Sequence, residues 1–312
     1  MRRLVILLLF LYAGFVWADG SYDDHFQELW SAPLDGDKSM LGTVPGDGLS
    51  RIIVADSMTQ YSYGKSGLLV GFDKEGRRAW EYHPRAVPSS VDVAEGYAVV
   101  GTEGRGRVSL IGADGKPVWN KGVGSKTNYV NIVRIVDLGD DGSPEVVSSA
   151  NFGMNSGLLQ VWDHAGDRLI SEGLSSREIV YAAKAGDVDG DGLDELILGF
   201  TTTAPQVTGD GFQNMQVVHD RESKIQVLES DGSLVWTYST KNGVLDLDLG
   251  DVDGDGVLEI AAAVGGEILV LDRDGGRLWS KSVTGTSQNV GVARTPGGFQ
   301  VAAGARQLYM LD

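Results

Sequence analysis

Two stretches of the chain carry closely spaced aspartates. The string Gly-Asp-Val-Asp-Gly-Asp-Gly occurs at 186–192 and again at 250–256, and each copy leads into a short apolar strand. Carboxylates on alternate residues of a turn can converge on one hard cation, and the glycine after them permits the bend that this requires. The two stretches therefore predict metal sites built from oxygen ligands. The alternative is an acidic turn without a metal, in which the unneutralised carboxylates would repel one another.

A tryptophan repeat indicates the elements that position these turns. Five similar phrases end in Trp30, Trp80, Trp119, Trp236 and Trp279. In the last four a glycine stands four residues before the tryptophan, and Gly166 to Ile170 keeps this spacing with isoleucine. Apolar runs precede the turns at Leu68–Phe72, Val108–Ile111, Leu158–Trp162, Ile225–Leu228, Ile268–Leu271 and Leu308–Leu311. The pattern predicts hairpins, each an apolar strand, an Asp-Gly-type turn and a strand that ends in tryptophan.

The repeat divides the chain into units of four strands. The units run over 31–80, 81–119, 120–170, 171–236, 237–279 and 280–312, and the last one lacks its tryptophan strand. Phe26–Trp30 supplies a matching strand from the other end of the chain. We therefore predict an all-β fold, a six-bladed β-propeller of four-stranded antiparallel blades in which the N-terminal strand completes the last blade. Residues 19–312 form this single domain.

Composition and the first residues bear on location and partners. The 312-residue chain has 44 glycines, 8 prolines, no cysteine and a net charge of −17, which disfavours nucleic acid and anionic membranes as partners. Residues 1–18 have the basic start, apolar stretch and small-residue cleavage site of a signal peptide. We predict an exported protein (periplasmic, extracellular or at the cell surface) with no membrane span after cleavage. An uncleaved anchor is the alternative.

The acidic loops resemble a known repeat. Asp-Val-Asp-Gly-Asp-Gly-x-x-Glu at 187–195 and 251–259 is similar to the FG-GAP, or VCBS, repeat of integrin-α-type propellers, and 137–145 matches it in part. The tryptophan hairpins also resemble propellers of the pyrroloquinoline-quinone dehydrogenase type. The resemblance to the FG-GAP repeat implies ligands at loop positions 1, 3 and 5, a backbone carbonyl at 7 and an acid at 9. Such an oxygen set suits Ca²⁺ better than Mg²⁺.

Applied to this chain, the FG-GAP pattern assigns three sets of ligands. The first is Asp187, Asp189, Asp191, the Leu193 carbonyl and Glu195; the second is Asp251, Asp253, Asp255, the Val257 carbonyl and Glu259. A weaker third set is Asp137, Asp141, the Ser143 carbonyl and Glu145. An EF-hand is excluded because the twelfth positions hold Leu198 and Ala262. We expect these ions to be structural, since each loop would join two strands of one blade.

Ligand recognition is expected on the other face of the propeller. The connections there vary most in length, and 56–67, 151–156 and 201–223 are the distinctive ones. The sequence has no nucleophile elbow, P-loop or dinucleotide fingerprint. We predict a calcium-stabilised binding or interaction module for a protein or carbohydrate ligand. The alternatives are a polysaccharide lyase-like enzyme, for which Tyr63, His83, Arg85 and Lys126 are candidates, and a purely structural surface or assembly protein.

One more charged group is expected in the central channel. Arg134, Lys184 and Asp248 occupy the same position of the first strand in three successive units. They could contact a substrate or form ion pairs between blades, and the ion pairs are the favoured interpretation.

Overall fold

The structure is a computed structural model, and most of the residues it describes lie in β-strands. The described residues are 2–5, 31–34, 38–44, 51–57, 67–73, 76–104, 106–124, 129–139, 142–151, 157–174, 178–202, 206–208, 216–218, 223–295, 298–305 and 308–311. None of these residues is helical, so within these ranges no helix is long and apolar enough to cross a membrane.

Six antiparallel sheets follow one another along the described chain. Sheet 1 is β3 (Lys38–Val44), β4 (Arg51–Ser57), β5 (Leu68–Phe72) and β6 (Arg78–Tyr82); sheet 2 is β7 (Pro88–Ala94), β8 (Tyr97–Thr102), β9 (Arg107–Ile111) and β10 (Pro117–Gly122); sheet 3 is β11 (Tyr129–Val136), β12 (Glu145–Asn151), β13 (Gly157–Trp162) and β14 (Arg168–Leu174). Sheet 4 is β15 (Glu178–Gly186), β16 (Glu195–Thr202), β19 (Ser223–Leu228) and β20 (Leu234–Thr240); sheet 5 is β21 (Val244–Gly250), β22 (Glu259–Val264), β23 (Glu267–Leu271) and β24 (Arg277–Ser282); sheet 6 is β25 (Asn289–Thr295), β26 (Gly298–Gly304) and β27 (Leu308–Leu311).

Two two-stranded antiparallel sheets lie outside these six. β1 (Arg2–Val5) pairs with β2 (Ser31–Leu34), and β17 (Gln206–Thr208) pairs with β18 (Gln216–Val218) within the predicted insertion 201–223. The remainder of the predicted signal peptide, residues 6–18, lies outside the described residues.

Each four-stranded sheet has its first strand at the inner edge and its fourth strand at the outer edge, and its connections lie at the two ends of the strands. First strands of consecutive sheets contact one another, from β3 to β7 and on to β25, whereas the fourth strands are largely exposed. We call the end with the first-to-second connections the lower face, and the end with the second-to-third connections the upper face. The acidic loops join first to second strands, so they lie on the lower face.

Apolar clusters fill the spaces between consecutive sheets. Five clusters of buried side chains each combine residues from two neighbours, sheets 1 and 2 up to sheets 5 and 6. Leu198 and Ile260 are typical members and are completely buried. Burying one such side chain contributes about 1.5–3 kcal/mol, so these clusters hold the stack of sheets together.

The tryptophan of a fourth strand, which is the third residue of that strand, packs on a turn of the following sheet. Trp119 Nε1 donates a hydrogen bond to the carbonyl of His164 at 3.1 Å, and Trp236 Nε1 donates to the carbonyl of Arg273 at 2.8 Å. His164 and Arg273 belong to the turns between third and fourth strands. The repeat in the sequence is therefore a docking contact between sheets.

The glycine four residues before each tryptophan makes this docking possible. Gly115 has φ of +79°, and a Cβ there would lie 2.6 Å from Trp80 Cβ, a distance at which one of the two groups must move. A Cβ on Gly166 would lie 2.9 Å from Trp119, and the contacts of Gly232 with Ile170 (3.2 Å) and of Gly275 with Trp236 (3.1 Å) are tight but less severe. Ile170 thus occupies the tryptophan position of sheet 3.

The predicted third strands are found where the sequence placed them, but the prediction that the fourth strands end at the tryptophan was wrong. Those strands run two to four residues further, so the predicted unit boundaries at 80, 119, 170, 236 and 279 fall inside them. β5 and β27 have the predicted bounds, and the other four third strands begin one or two residues earlier. Five sheets have four strands and sheet 6 has three among the described residues. The strand predicted to complete sheet 6, Phe26–Trp30, lies outside the described residues, so the closed six-bladed ring stays a prediction.

Candidate metal centre

The backbone of the 187–195 loop is curled by its own aspartates. Asp187 accepts hydrogen bonds from the amides of Gly190 (2.7 Å to Oδ1) and Gly192 (3.1 Å to Oδ2), and Asp189 Oδ1 accepts one from Asp191 (3.0 Å). Gly190 and Gly192 have φ of +83° and +91°, a region that glycine enters at little cost. This curl folds the acidic side chains back toward the start of β16.

The 251–259 loop repeats this geometry. Asp251 Oδ1 accepts a hydrogen bond from the amide of Gly254 at 2.7 Å, and Asp253 Oδ1 accepts one from Asp255 at 3.1 Å. Gly254 and Gly256 again have positive φ, +84° and +95°. The two loops are neighbours, because a Cβ on Gly190 would lie 3.4 Å from Val257 Cγ2.

Carboxylate oxygens converge in both loops. In the first, one oxygen from each of Asp187, Asp189 and Glu195 lies within 4.8 Å of the others; in the second, Asp251, Asp253 and Asp255 do so. Asp191 is outside the first set and Glu259 is outside the second. As metal ligands, all of these acids and the carbonyls of Leu193 and Val257 stay predictions.

Glu195 is a buried carboxylate that lacks a partner on one oxygen. Its side chain is 0% exposed, Oε2 accepts a hydrogen bond from the amide of Val188 at 2.9 Å, and Oε1 is buried with no hydrogen-bond partner among the described residues. Burial raises the pKa of Glu195 to about 7, and the charges of Asp189 and Glu229 act in the same direction. A buried carboxylate of this kind needs a cation or a proton.

Glu259 occupies the same position in the second loop with more complete hydrogen bonding. Oε2 accepts from the amides of Val252 at 2.6 Å and Asp253 at 3.2 Å. Burial raises the pKa of Glu259, and the charges of Asp253 and Asp255 raise it further. Both loops therefore hold a buried acid next to two or more aspartates.

The third loop shares part of this arrangement. Glu145 is buried and its Oε2 accepts a hydrogen bond from the amide of Leu138 at 2.8 Å, as Glu195 and Glu259 do at the matching position. Asp137 Oδ2 accepts one from Gly142 at 3.1 Å. Asp141 lies outside the described residues, so its role as a ligand in this loop stays a prediction.

The predicted charged group lies on the first strands of sheets 3, 4 and 5. Lys184 Nζ donates to Asp248 Oδ1 at 2.9 Å, which confirms an ion pair between sheets 4 and 5. Arg134 makes no ion pair with any described residue; its Nη1 donates to the Val133 carbonyl at 2.9 Å, and it lines a cavity of about 390 Å³ together with Asp92 and Lys184.

Sequence reasoning missed how acids on the first strands join neighbouring sheets. Asp92 Oδ2 accepts a hydrogen bond from the amide of Ile135 at 2.9 Å, and Asp248 Oδ2 accepts one from Val292 at 2.7 Å. The sequence does contain a signal for these contacts. Ser90 and Asp92 are two residues apart, and polar residues with this spacing lie on the same side of a strand. Ser90 Oγ does accept a hydrogen bond from the next sheet, from the amide of Val133.

The predicted recognition loops are mostly outside the described part of the chain. This applies to residues 58–66, 152–156, 203–205, 209–215 and 219–222, and to Tyr63 and Lys126 among the candidates for an enzyme. His83 is described, and its Nε2 lies 3.8 Å from Glu81 Oε2.

The fold and the tryptophan docking define a β-propeller of the PQQ-repeat class. The family model described as outer membrane protein assembly factor BamB matches residues 27–193, more than half of the chain, and the chain belongs to this family. The resemblance to FG-GAP repeats of integrin-α type was therefore the wrong family assignment. It rested on short acidic turns in a few units, whereas the feature repeated through the chain is the tryptophan hairpin.

Solved structures with the same fold are distant in sequence. BBS1N, solved in complex with ARL6DN, gives a TM-score of 0.59 at 12% identity over 92% of this chain and 81% of that chain. The Dos1 propeller gives 0.55 at 15% identity over 89% and 70%. The Vibrio cholerae biofilm matrix protein Bap1 gives 0.50 at 16% identity over 78% of this chain, which spans only 39% of Bap1. No curated protein sequence matches the chain.

Proposed function

We propose that this chain is an exported, calcium-stabilised propeller that serves as an interaction module in outer membrane protein assembly. The observation that carries the interaction role is the family match over 27–193, since that family is described as an assembly factor. Stacked sheets with connections of unequal length on one face form a rigid support for recognition loops. The predicted signal peptide at 1–18 and a periplasmic or cell-surface location fit this role.

Glu195 is the main support for calcium. Its buried Oε1 has no hydrogen-bond partner among the described residues. One oxygen of this carboxylate lies within 4.8 Å of oxygens of Asp187 and Asp189. Calcium takes six to eight oxygen ligands, which three carboxylates, the Leu193 carbonyl and water can supply. The 251–259 loop offers a second site of the same kind, and 137–145 a third.

The ions would fasten one sheet to the next. Val188, the second residue of the first loop, packs into the cluster between sheets 4 and 5, while its amide is held by Glu195. Val252 packs between sheets 5 and 6 and its amide is held by Glu259. A cation on either loop would therefore stabilise an interface between sheets, which is a structural role.

Calcium binding is tested by melting the purified protein in calcium and in chelator. A ligand that binds only the folded state stabilises it by about 2.7 kcal/mol per site at a hundredfold excess over Kd. We expect a higher Tm in calcium, and about one ion fewer per chain in Asp189→Asn and in Asp253→Asn. Asp274→Asn is the matched control, because it removes one exposed carboxylate from a turn between third and fourth strands.

Two results would contradict the calcium sites. Melting curves that coincide in calcium and chelator would show that the loops are not occupied structural sites. Metal content unchanged in both loop variants would show that the ions bind elsewhere.

The assembly role is tested in the organism that makes the protein. Deleting the gene should lower the amount of folded outer membrane proteins, and a photo-crosslinking residue at position 129 on the upper face should attach to components of their assembly machinery. The same residue at 274, an exposed position of the lower face outside the acidic loops, is the control. Normal levels of outer membrane proteins, or crosslinks only from position 274, would refute the proposal.

A further inference from the structure

Three residues lie on the upper face, on the neighbouring sheets 2, 3 and 4. Tyr129 begins β11, Tyr181 lies near the start of β15, and Glu103 directly follows β8. The backbones of Glu103 and Tyr129 form an isolated antiparallel bridge between sheets 2 and 3. β11 contacts both β8 and β15, so the three residues lie on adjoining strands. The pKa of Tyr129 is raised by burial and, beyond that, by the charges of Glu103 and Tyr181.

These side chains are open to a ligand. Tyr129 is 44% exposed and Tyr181 is 43% exposed, although both rings belong to inner strands of the sheets. Each tyrosine lies next to a β-bulge, at Val130/Ile132 in β11 and at Val180/Ala182 in β15. Bulges re-aim side chains, and the same irregularity occurs at this position of the first strand in sheets 2 and 5. Glu103 forms no ion pair with any described residue.

The chain itself shows which group suits an aromatic ring beside a carboxylate. In sheet 4, Lys224 Nζ lies 4.6 Å from the centroid of the Phe200 ring and 3.2 Å from Glu178 Oε1. A cation gains from the negative face of the ring and from the carboxylate at the same time. The Glu103 and tyrosine group offers the same chemistry without a described cation.

From this juxtaposition we infer that Glu103, Tyr129 and Tyr181 form a docking site for a basic segment of a protein partner. The inference rests on the proposed function, and it names the chemistry of the partner. An arginine or lysine of that segment would lie against a tyrosine ring with its charge toward Glu103. The net charge of −17 would attract such a segment from a distance and repel an acidic one.

The test uses the purified full chain and two labelled peptides. One is a Gly-Ser peptide with three arginines, and the other has glutamates in their place. Fluorescence anisotropy at low salt should show binding of the arginine peptide alone. Glu103→Gln, Tyr129→Leu and Tyr181→Leu should each weaken it by about 3- to 30-fold, the range of a cation–π or ion-pair contact.

Glu95→Gln is the matched control. It removes the same charge from an exposed residue of the lower face, in the turn between β7 and β8, and should leave the affinity within about twofold. Unfolding curves in urea establish that each variant is folded. Equal loss in Glu95→Gln and Glu103→Gln would mean that only net charge attracts the peptide, and it would overturn the site.

Other outcomes separate this inference from the proposed function. If the arginine peptide does not bind, or a neutral oligosaccharide binds instead, the docking site is refuted even where position 129 crosslinks to assembly proteins in cells. A different outcome is that the peptide binds and the three variants lower its affinity, while deletion of the gene leaves outer membrane proteins unchanged. This result would support the docking site and refute the assembly role.

Discussion

The close approach of Trp80 to Gly115 allows the effect of one substitution to be worked out. Gly115→Ala places a side chain at φ of +79°, which costs an L-residue about 1–2 kcal/mol. The new Cβ would also lie 2.6 Å from both Cβ and Cγ of Trp80, and overpacking of this kind costs about 1–3 kcal/mol. We expect the free energy of unfolding to fall by about 2–5 kcal/mol in total.

Gly96→Ala is the control that separates the two costs. Gly96 has the same φ of +79°, but a Cβ there would meet nothing within 4 Å. It should therefore lose only the backbone cost of about 1–2 kcal/mol. Urea unfolding followed by circular dichroism gives both values. If the two variants are destabilised equally, Trp80 does not depend on the space left by Gly115, and the docking argument is wrong.

Two further predictions concern charged side chains on the first strands of sheets 4 and 5. Burial raises the pKa of Asp246, so the folded chain holds this proton more tightly than the unfolded chain, and stability falls as pH rises from the unfolded pKa through the folded one. Asp246→Asn keeps an oxygen that can accept the hydrogen bond of the Val290 amide. This variant should stabilise the protein at pH 7 but not near pH 3. Equal effects at the two pH values would contradict the prediction. Lys184→Gln should cost about 1 kcal/mol or less, with most of that loss absent in an Asp248→Asn background, and an additive double mutant would show that the ion pair contributes nothing.

The sequence was most informative where one short pattern repeats. The glycine and tryptophan spacing predicted the hairpins, and the structure gives its physical reason, since Gly115 must have positive φ and leave room for Trp80. The weight given to the acidic loops was the source of error. A turn of nine residues can arise wherever two strands need fastening, so it identifies a local site and not a family.

The features that sequence reasoning missed depend on packing between sheets. Asp92 reaches the amide of Ile135, and Glu103 meets Tyr129, only because sheets 2 and 3 stand side by side in one register. The missing partner of Glu195 Oε1 likewise follows from burial by its neighbours. Short sequence patterns do not predict such contacts, because the residues that meet are far apart in the chain.

The docking of each tryptophan on the following turn has a consequence for synthesis. Trp119 can form its hydrogen bond only after His164, 45 residues further along the chain, has been made. Trp236 likewise requires Arg273, 37 residues further. At about 5–20 residues per second, an emerging outer strand stays unfastened for about 2–9 s until its acceptor has been made. During that interval its apolar ring is open to other chains, so the newest sheet is the part of the chain that a chaperone would need to protect.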